Sequence, residues 1–246
     1  MRFVVLVGRA MLVMWGLGIV LLVGALALGQ WLALPGEPLV FTAQHDGAND
    51  VYLGDARIAT AHNITDSPAF DGWPDISPDG RWIAFETTRD GNPEIYVMDD
   101  TGRNLRNLSN HPATDRWPRW SPDGRLIAFV SMRNQAYDIY LVEVSTGEIR
   151  ISAHVPGMEG TPIWSPDGRY IAVLTLVNGQ AKYYIIEVDS GSARQIYTEG
   201  VPSAAPAWSE DGAQVVVRTV PDGKPNTYPV AIEAAELFAT EAAYQP

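Results

Sequence analysis

Three acidic residues recur in the same phase along the chain, and they are the first candidates for a binding function. Asp71, Asp115 and Glu159 follow one another at intervals of 44 residues, and Trp73 and Trp117 repeat at the same interval. Carboxylates gathered at one place can bind a cation or a basic peptide segment. Tryptophan beside such a polar rim is typical of a protein-contact surface. The alternative interpretation of the acidic residues is a solvated rim without a ligand.

The sequence motifs of catalysis and metal binding are missing. The four histidines, His45, His62, His111 and His154, have neither His-x-x-x-His nor His-Glu-x-x-His spacing, so they make no zinc motif and are predicted to be solvated loop residues. There is no Gly-x-Ser-x-Gly elbow, no phosphate-binding glycine loop and no cysteine, which excludes thiolate chemistry. We therefore predict a protein that is not an enzyme, with no catalytic residue, no metal site and no cofactor.

These candidates belong to a repeat of 44 residues. Ser-Pro-Asp-Gly begins at Ser77, Ser121 and Ser165, and Ser209 begins a fourth copy with Glu in place of Pro. Two further columns keep the same step: the tyrosines Tyr52, Tyr96, Tyr140, Tyr184 and Tyr228, and the apolar residues Phe41, Phe85, Phe129, Val173 and Val217. A period of 20 to 50 residues indicates a solenoid, a propeller or an array.

The composition of each repeat predicts four short strands. Ser-Pro-Asp-Gly suits a type I turn, and the Asp-Gly or Asn-Gly pairs that follow, such as Asp46-Gly47 and Asn178-Gly179, are strong hairpin signals. No amphipathic helical window occurs between residues 36 and 230. The sequence therefore predicts an all-β fold, a five-bladed β-propeller of four-stranded antiparallel blades over residues 30–246. An open array that pairs with a partner's edge strand is the alternative.

Within a blade, the order of the strands can also be predicted. The strands that carry Pro-x-Trp-Ser should be innermost, and the strands with the Phe and Tyr columns should be central and buried. The tryptophans of the inner strands, Trp120, Trp164 and Trp208, are then expected to pack between blades. On this arrangement Asp71, Asp115 and Glu159 lie just before the inner strands, at one mouth of the central channel.

The full repeat pattern resembles a known family. Pro118-Arg-Trp-Ser-Pro-Asp-Gly-Arg-Leu-Ile-Ala-Phe129, followed by Asp138-Ile-Tyr140, is similar to the WD40-like (TolB-type) β-propeller repeat. The resemblance covers residues 36 to about 230. That family includes periplasmic propellers and the propeller domains of some prolyl-oligopeptidase-like hydrolases, so the resemblance implies the fold more specifically than the function.

The sequence of residues 1–29 predicts a transmembrane helix that acts as a signal anchor and forms a domain separate from the propeller. Ala10 to Gly29 contains no charge, and a helix of twenty residues spans about 30 Å, the thickness of the hydrocarbon core of a bilayer. Arg2 and Arg9 precede this span, so the positive-inside rule places the N-terminus in the cytoplasm. The alternative is a cleaved signal peptide with Ala25-Leu26-Ala27 as its cleavage site. Either interpretation exports the propeller to the periplasm or the extracellular space.

The charge of the exported part limits its partners. The chain of 246 residues carries a formal charge of −12, with 17 basic and 29 acidic residues. Because Arg2 and Arg9 are the only charges before residue 30, the remainder holds 15 basic and 29 acidic residues. Such a domain repels phosphate backbones and anionic surfaces, which makes nucleic acid an unsuitable partner.

The sequence therefore predicts a membrane-anchored, non-catalytic scaffold that binds protein partners or serves as an accessory subunit of a membrane complex. The contact residues expected for this function are Asp71, Trp73, Asp115, Trp117 and Glu159. Two alternatives remain open at this point. One is a sensor that binds a small ligand or a cation in the central channel, and the other is a degenerate propeller domain of a hydrolase.

Overall fold

The computed structural model describes residues 3–7, 10–14, 38–55, 60–198, 200–221 and 224–232. The chain divides into two compact units, Met1–Pro118 and Arg119–Pro246. All the longer elements in the described ranges are β-strands, and none of these residues lies in an α-helix. The predicted all-β class is therefore confirmed for this part of the chain.

The N-terminal segment begins with strands where a helix was predicted. Phe3–Val7 (β1) and Ala10–Met14 (β2) pair antiparallel as a two-stranded sheet. Both runs contain valine, whose branched side chain favours extended backbone. The predicted span over residues 10–29 is thus a strand in its first five residues, and residues 15–29 lie outside the described residues. Within the described ranges, no helix has the length and apolar character needed to cross a membrane.

The first unit contains two further sheets. Pro38–His45 (β3), Ala48–Asp55 (β4) and Thr60–Asn63 (β5) form a three-stranded sheet in chain order. Four strands form the next sheet, again in chain order: Asp71–Ile76 (β6), Trp82–Thr87 (β7), Glu94–Asp99 (β8) and Arg106–Asn107 (β9). All neighbouring strands in these sheets are antiparallel.

Three sheets follow along the chain. The first consists of Asp115–Trp120 (β10), Leu126–Ser131 (β11), Asp138–Glu143 (β12) and Ile149–His154 (β13), and the boundary between the units falls within β10. The second consists of Met158–Glu159 (β14), Ile163–Trp164 (β15), Tyr170–Val177 (β16), Gln180–Glu187 (β17) and Ala193–Ile196 (β18). The third consists of Val201–Pro202 (β19), Ala207–Trp208 (β20), Gln214–Val220 (β21) and Asn226–Ala231 (β22).

From residue 38 onward, each repeat therefore corresponds to one antiparallel sheet. In the last two sheets the inner strand is split in two, because β14 and β15 both pair with β16, and β19 and β20 both pair with β21. Two predicted strands lie outside the described residues. One, over residues 30–33, was expected to complete the first sheet, and the other, over residues 233–244, was expected to complete the last.

The Phe and Tyr columns of the repeat meet as cross-strand pairs. Phe85 lies opposite Tyr96, with ring centroids 6.1 Å apart, and Phe129 lies opposite Tyr140 at 6.0 Å. Because β7 and β8 are buried along nearly their whole length, both faces of these central strands are covered. This burial confirms the predicted central position of the Phe and Tyr strands in this sheet.

The Ser-Pro-Asp-Gly segment forms a closed turn held by its own side chains. In the copy that begins at Ser77, the Ser77 hydroxyl donates to Asp79 Oδ1 at 2.6 Å and accepts the Trp82 N–H at 2.9 Å. Gly80, with φ of +73°, donates its N–H to the Ser77 carbonyl. The same hydroxyl-to-carboxylate bond of 2.6 Å occurs at Ser121, Ser165 and Ser209. Each repeat thus fixes the angle between its first two strands locally.

Both units place apolar residues between successive sheets. In the first unit Val40 and Val51 belong to one buried cluster with Ile83, Phe85 and other residues of the next sheet. In the second unit a cluster joins residues of β16–β18 with residues of β21 and Ile232. Burial of these faces provides the main favourable free energy of the fold.

Candidate functional site

The backbone of Trp73 and Trp117 adopts a conformation that is unusual for bulky residues. Their φ angles are +52° and +57°, in the left-handed region that side chains other than glycine rarely occupy. In β6 the pairing register with β7 shifts between Gly72 and Asp75, so Trp73 lies in a β-bulge. Bulges redirect side chains and are over-represented next to functional sites.

The two tryptophans form what we call the aromatic pair. Their ring centroids are 6.4 Å apart, and their planes meet at 82°, an edge-to-face contact. Trp73 is 41% exposed and Trp117 is half-buried. The indole N–H groups donate to no residue in the described part of the chain. The structure therefore brings together two of the predicted contact residues and leaves them accessible.

The predicted acidic contacts are placed differently. Asp71 is fully buried, and its carboxylate accepts two hydrogen bonds from Arg89 Nη2, at 3.1 and 3.3 Å. The Arg89 guanidinium also lies over the rings of Phe85 and Tyr96. A buried carboxylate needs such a partner because its desolvation is otherwise costly. Asp71 therefore supports the bulged strand from within and is not an exposed contact residue.

Asp115 is likewise not an exposed acidic contact. Asp115, at the start of β10, is fully buried. Glu159 lies in β14 opposite Thr175, and its side chain is outside the described structure. The prediction of accessible carboxylates is thus corrected for Asp71 and Asp115, because the repeat turns these two side chains into the interior.

A glutamate that the sequence analysis did not select lies beneath the aromatic pair. Glu86 of β7 is 3% exposed, and its Oε1 is 3.8 Å from Nε of Arg116. Burial raises the pKa of Glu86 to about 7, against the opposing effects of the Arg116 charge and a hydrogen bond from the backbone N–H of Trp117. This carboxylate therefore connects the left-handed backbone at Trp117 with the strand below it.

Two inner-strand tryptophans join consecutive sheets of the second unit. Trp164 Nε1 donates to the carbonyl of Arg119 at 3.0 Å, and Trp208 Nε1 donates to the carbonyl of Ile163 at 2.9 Å. Each indole thus reaches the inner strand of the preceding repeat. The packing role predicted for Trp164 and Trp208 is confirmed, and the indole hydrogen bonds add a polar contact that periodicity alone could not specify.

Buried carboxylates fix the loops that leave the outer strands. Glu94 accepts hydrogen bonds from the Ser109 hydroxyl and the His111 backbone N–H. Asp50 and Asp138 occupy the same place in their repeats; Asp50 binds Thr65, and Asp138 binds the ring of His154. The His154 side chain is 46% exposed, as predicted, but His45, His62 and His154 lie in strands and not in the predicted loops. The 44-residue step from Asp50 to Glu94 to Asp138 was the available signal.

The described residues hold no group of three or more His, Cys, Asp or Glu side chains arranged to bind a metal ion. The geometry that can act on a partner is therefore the aromatic pair with Arg116 at its side. An exposed indole offers apolar surface and an N–H donor, and a guanidinium offers a forked set of donors. These groups suit non-covalent recognition.

The sheets of four antiparallel strands define the class as a β-propeller fold. A family model described as the TolB beta propeller domain matches residues 97–243, more than half of the chain. The chain belongs to this TolB β-propeller family. No curated protein matches it in sequence.

Solved structures show the same fold. The TolB of Acinetobacter baumannii is 24% identical with a TM-score of 0.64, over 81% of this chain and 50% of that protein. A protein assigned as the TolB of Agrobacterium tumefaciens is 24% identical with a TM-score of 0.61, over 81% of this chain and 74% of that protein. An oligogalacturonate lyase in complex with manganese is 17% identical with a TM-score of 0.64, over 76% of this chain and 55% of the lyase.

The chain spans about half the length of the Acinetobacter TolB and of the lyase. Identities below 25% establish the shared fold and do not transfer a function. The similar structures include enzymes, among them the dipeptidyl peptidase 4 of Porphyromonas gingivalis. The site must therefore be interpreted from its own residues.

Proposed function

We propose that the protein is a membrane-anchored scaffold that holds a protein partner outside the cytoplasm, without catalysing a reaction, or serves as an accessory subunit of a membrane complex. The N-terminal segment would attach the protein to the membrane, and the sheets from residue 38 onward would present the contact surface. The proposal combines the site geometry with the charge pattern of the sequence.

The observation that carries this proposal is the aromatic pair. Trp73 and Trp117 keep φ angles of +52° and +57°, and such backbone conformations cost of order 1–3 kcal/mol each unless the surrounding structure enforces them. Here the buried Asp71, paired with Arg89, lies two residues before Trp73, and the buried Glu86 accepts the backbone N–H of Trp117. A fold that stabilises two strained tryptophans next to solvent provides the kind of aromatic anchor that dominates protein interfaces.

The membrane part of the proposal is supported by the N-terminal sequence. The uncharged stretch from Ala10 to Gly29 follows Arg2 and Arg9, and the first acidic residue after it is Glu37. This arrangement favours export of the acidic part, which then meets its partner beyond the lipid headgroups. The non-catalytic part is supported by the lack of a sequence motif for a nucleophile and its base.

The experiment that tests the proposal is in vivo cross-linking of the full chain, followed by solubilisation in a non-ionic detergent and purification. We expect a defined partner to be captured with the wild-type chain and lost with Trp73→Ala and Trp117→Ala. Tyr197→Ala is the matched control, because Tyr197 is also an exposed aromatic residue, at 64%. The proposed surface would be contradicted if the partner were lost only with the Tyr197 variant. It would also be contradicted if all three variants captured the partner as the wild type does.

A further inference from the structure

One charged residue near the aromatic pair departs from the repeat. Arg116 occupies a column whose other described members are the small residues Gly72, Gly160 and Ala204. The positive charge is not needed to form a blade, because the other repeats form their sheets without it. Such a departure from a repeat that otherwise specifies the fold is expected at a functional site.

Arg116 lies close to the buried side chain of Glu86. Arg116 Nε is 3.8 Å from Glu86 Oε1, close enough for an ionic interaction but too far for a hydrogen bond. In the described part of the chain, both Arg116 Nε and the buried Glu86 Oε2 lack a hydrogen-bond partner. The Arg116 side chain is 44% exposed, whereas that of Glu86 is 4% exposed. The arginine is thus held at its base by a buried carboxylate while part of it reaches solvent.

Glu86 is a weak counter-ion for Arg116 at neutral pH. Burial raises the pKa of Glu86 to about 7, so a substantial fraction of this group is protonated there. The guanidinium consequently keeps much of its capacity to attract an anion. Arg116 Nε lies 3.8 Å from Glu86 Oε1, and the same carboxylate accepts the backbone N–H of Trp117, so Arg116 and the backbone of Trp117 meet at one buried group.

We propose that Trp73, Trp117 and Arg116 form one recognition site for a peptide segment of the partner that carries a carboxylate next to an aromatic or proline ring. This inference rests on the proposed scaffold function and names the chemistry of its partner. The carboxylate binds the planar guanidinium through paired N–H donors. The ring packs on the indoles, which supply apolar area.

The acidic charge of the chain restricts this assignment. With a formal charge of −12, the protein repels polyanions at a distance, so a nucleic acid or an anionic lipid surface suits the site poorly. A single carboxylate on an otherwise neutral or basic segment avoids that repulsion and still binds Arg116. The surrounding negative charge then favours a partner that is basic outside this segment.

The test uses the full chain labelled with 5-fluorotryptophan, in a non-ionic detergent, and three capped peptides. The peptides share the sequence Ser-Gly-Phe-X-Gly-Ser, with glutamate, glutamine or lysine at X. The eight tryptophans give separate fluorine signals, which Trp-to-Phe variants assign. We expect the glutamate peptide to shift the signals of Trp73 and Trp117, and the glutamine peptide to bind about fivefold more weakly or worse, because the charge-assisted bond is lost.

Arginine variants identify the cation responsible. Arg116→Gly restores the residue of other repeats, and Arg116→Ala is a second variant that keeps a Cβ. Both should bind the glutamate and glutamine peptides equally weakly. Arg81→Ala is the matched control, because Arg81 is an exposed arginine of the same unit. The equivalent position of the fourth repeat is Ala213, so the repeat accepts alanine there. Its affinity for the glutamate peptide should equal that of the wild type.

Three results would overturn the assignment: no shift with the glutamate peptide, unchanged binding in both Arg116 variants, or stronger shifts with the lysine peptide. These results are distinct from failure of the scaffold function. A cross-linked partner that depends on Trp73 and Trp117 but not on Arg116 would leave the scaffold intact and refute the carboxylate. If the partner is still captured by the Trp73 and Trp117 variants, the proposed scaffold surface is refuted, whatever the result of the peptide titrations.

Discussion

Glu86 should make the stability of the first unit fall as the pH rises. Its pKa is raised from 4.5 in the reference state to about 7 in the folded protein, so the folded state binds more protons than the unfolded state between these values. Stability from this group is therefore fully present below pH 4.5 and is lost as the pH rises through 7. The difference between the two pKa values corresponds to about 3 kcal/mol.

The substitutions that remove this dependence are Glu86→Gln and Glu86→Val. Glutamine keeps an oxygen that can accept the Trp117 N–H. Valine is the residue found at the equivalent position of the next repeat, Val130. Neither side chain titrates. The free energy of unfolding of each variant, relative to wild type, should therefore increase by about 2 to 3 kcal/mol between pH 5 and pH 8.

The assay is urea unfolding of the full chain at pH 5, 6, 7 and 8, followed by tryptophan fluorescence. Glu148→Gln is the control, because Glu148 is exposed and should give a difference that does not change with pH in this manner. Arg116→Gly should shift the transition of Glu86 to higher pH, since the Arg116 charge is one of the influences that lower its pKa. A constant or decreasing difference between the Glu86 variants and wild type over this range would refute the reasoning.

Three further predictions concern the turns, the sheet contacts and the strained backbone. Ser77→Ala removes a hydroxyl that donates to Asp79, and its loss should lower the free energy of unfolding by about 1 to 3 kcal/mol in urea titrations. Trp164→Phe leaves the Arg119 carbonyl without its indole donor, and we expect a loss of about 1 to 3 kcal/mol in the same assay. Trp73→Asn replaces a tryptophan at φ of +52° by a residue that tolerates this conformation. Its unfolding free energy should stay within about 1 kcal/mol of wild type, while capture of the cross-linked partner is lost.

Each of these outcomes can be contradicted directly. Wild-type stability in the Ser77 variant would show that the turn does not depend on its hydroxyl. Wild-type stability in the Trp164 variant would show that the indole acts through packing alone. A large loss of stability in the Trp73 variant would show that this tryptophan belongs to the core of the unit and is not held for a partner.

Much of the fold could be predicted from the sequence because the repeat fixes its own local geometry. The Phe and Tyr columns predicted the central strands, and Phe41 indeed pairs with Tyr52 across β3 and β4. The Asp46-Gly47 pair predicted a hairpin turn, and both residues have positive φ, at +47° and +92°. Such patterns are interpretable because each concerns residues close in the chain whose pairing is set by turn length.

The candidate site was less predictable, since its features depend on contacts between repeats. Periodicity located Trp73 and Trp117, but it could not show that Asp71 turns inward to meet Arg89. The ion pair of Glu86 with Arg116 joins two strands of different repeats. The departure of Arg116 from the small residues of its column was visible in the sequence, but its contact with Glu86 could be seen only in three dimensions.

The indole hydrogen bonds of Trp164 and Trp208 have a consequence for how the number of repeats can change in evolution. Each of these tryptophans supplies a donor to the repeat before it, and each inner strand offers a carbonyl to the repeat after it. A duplicated segment of one period would therefore already encode both the indole donor and the carbonyl acceptor of this hydrogen bond. Insertion or deletion of a whole period in the gene would accordingly keep the hydrogen bond that joins neighbouring repeats.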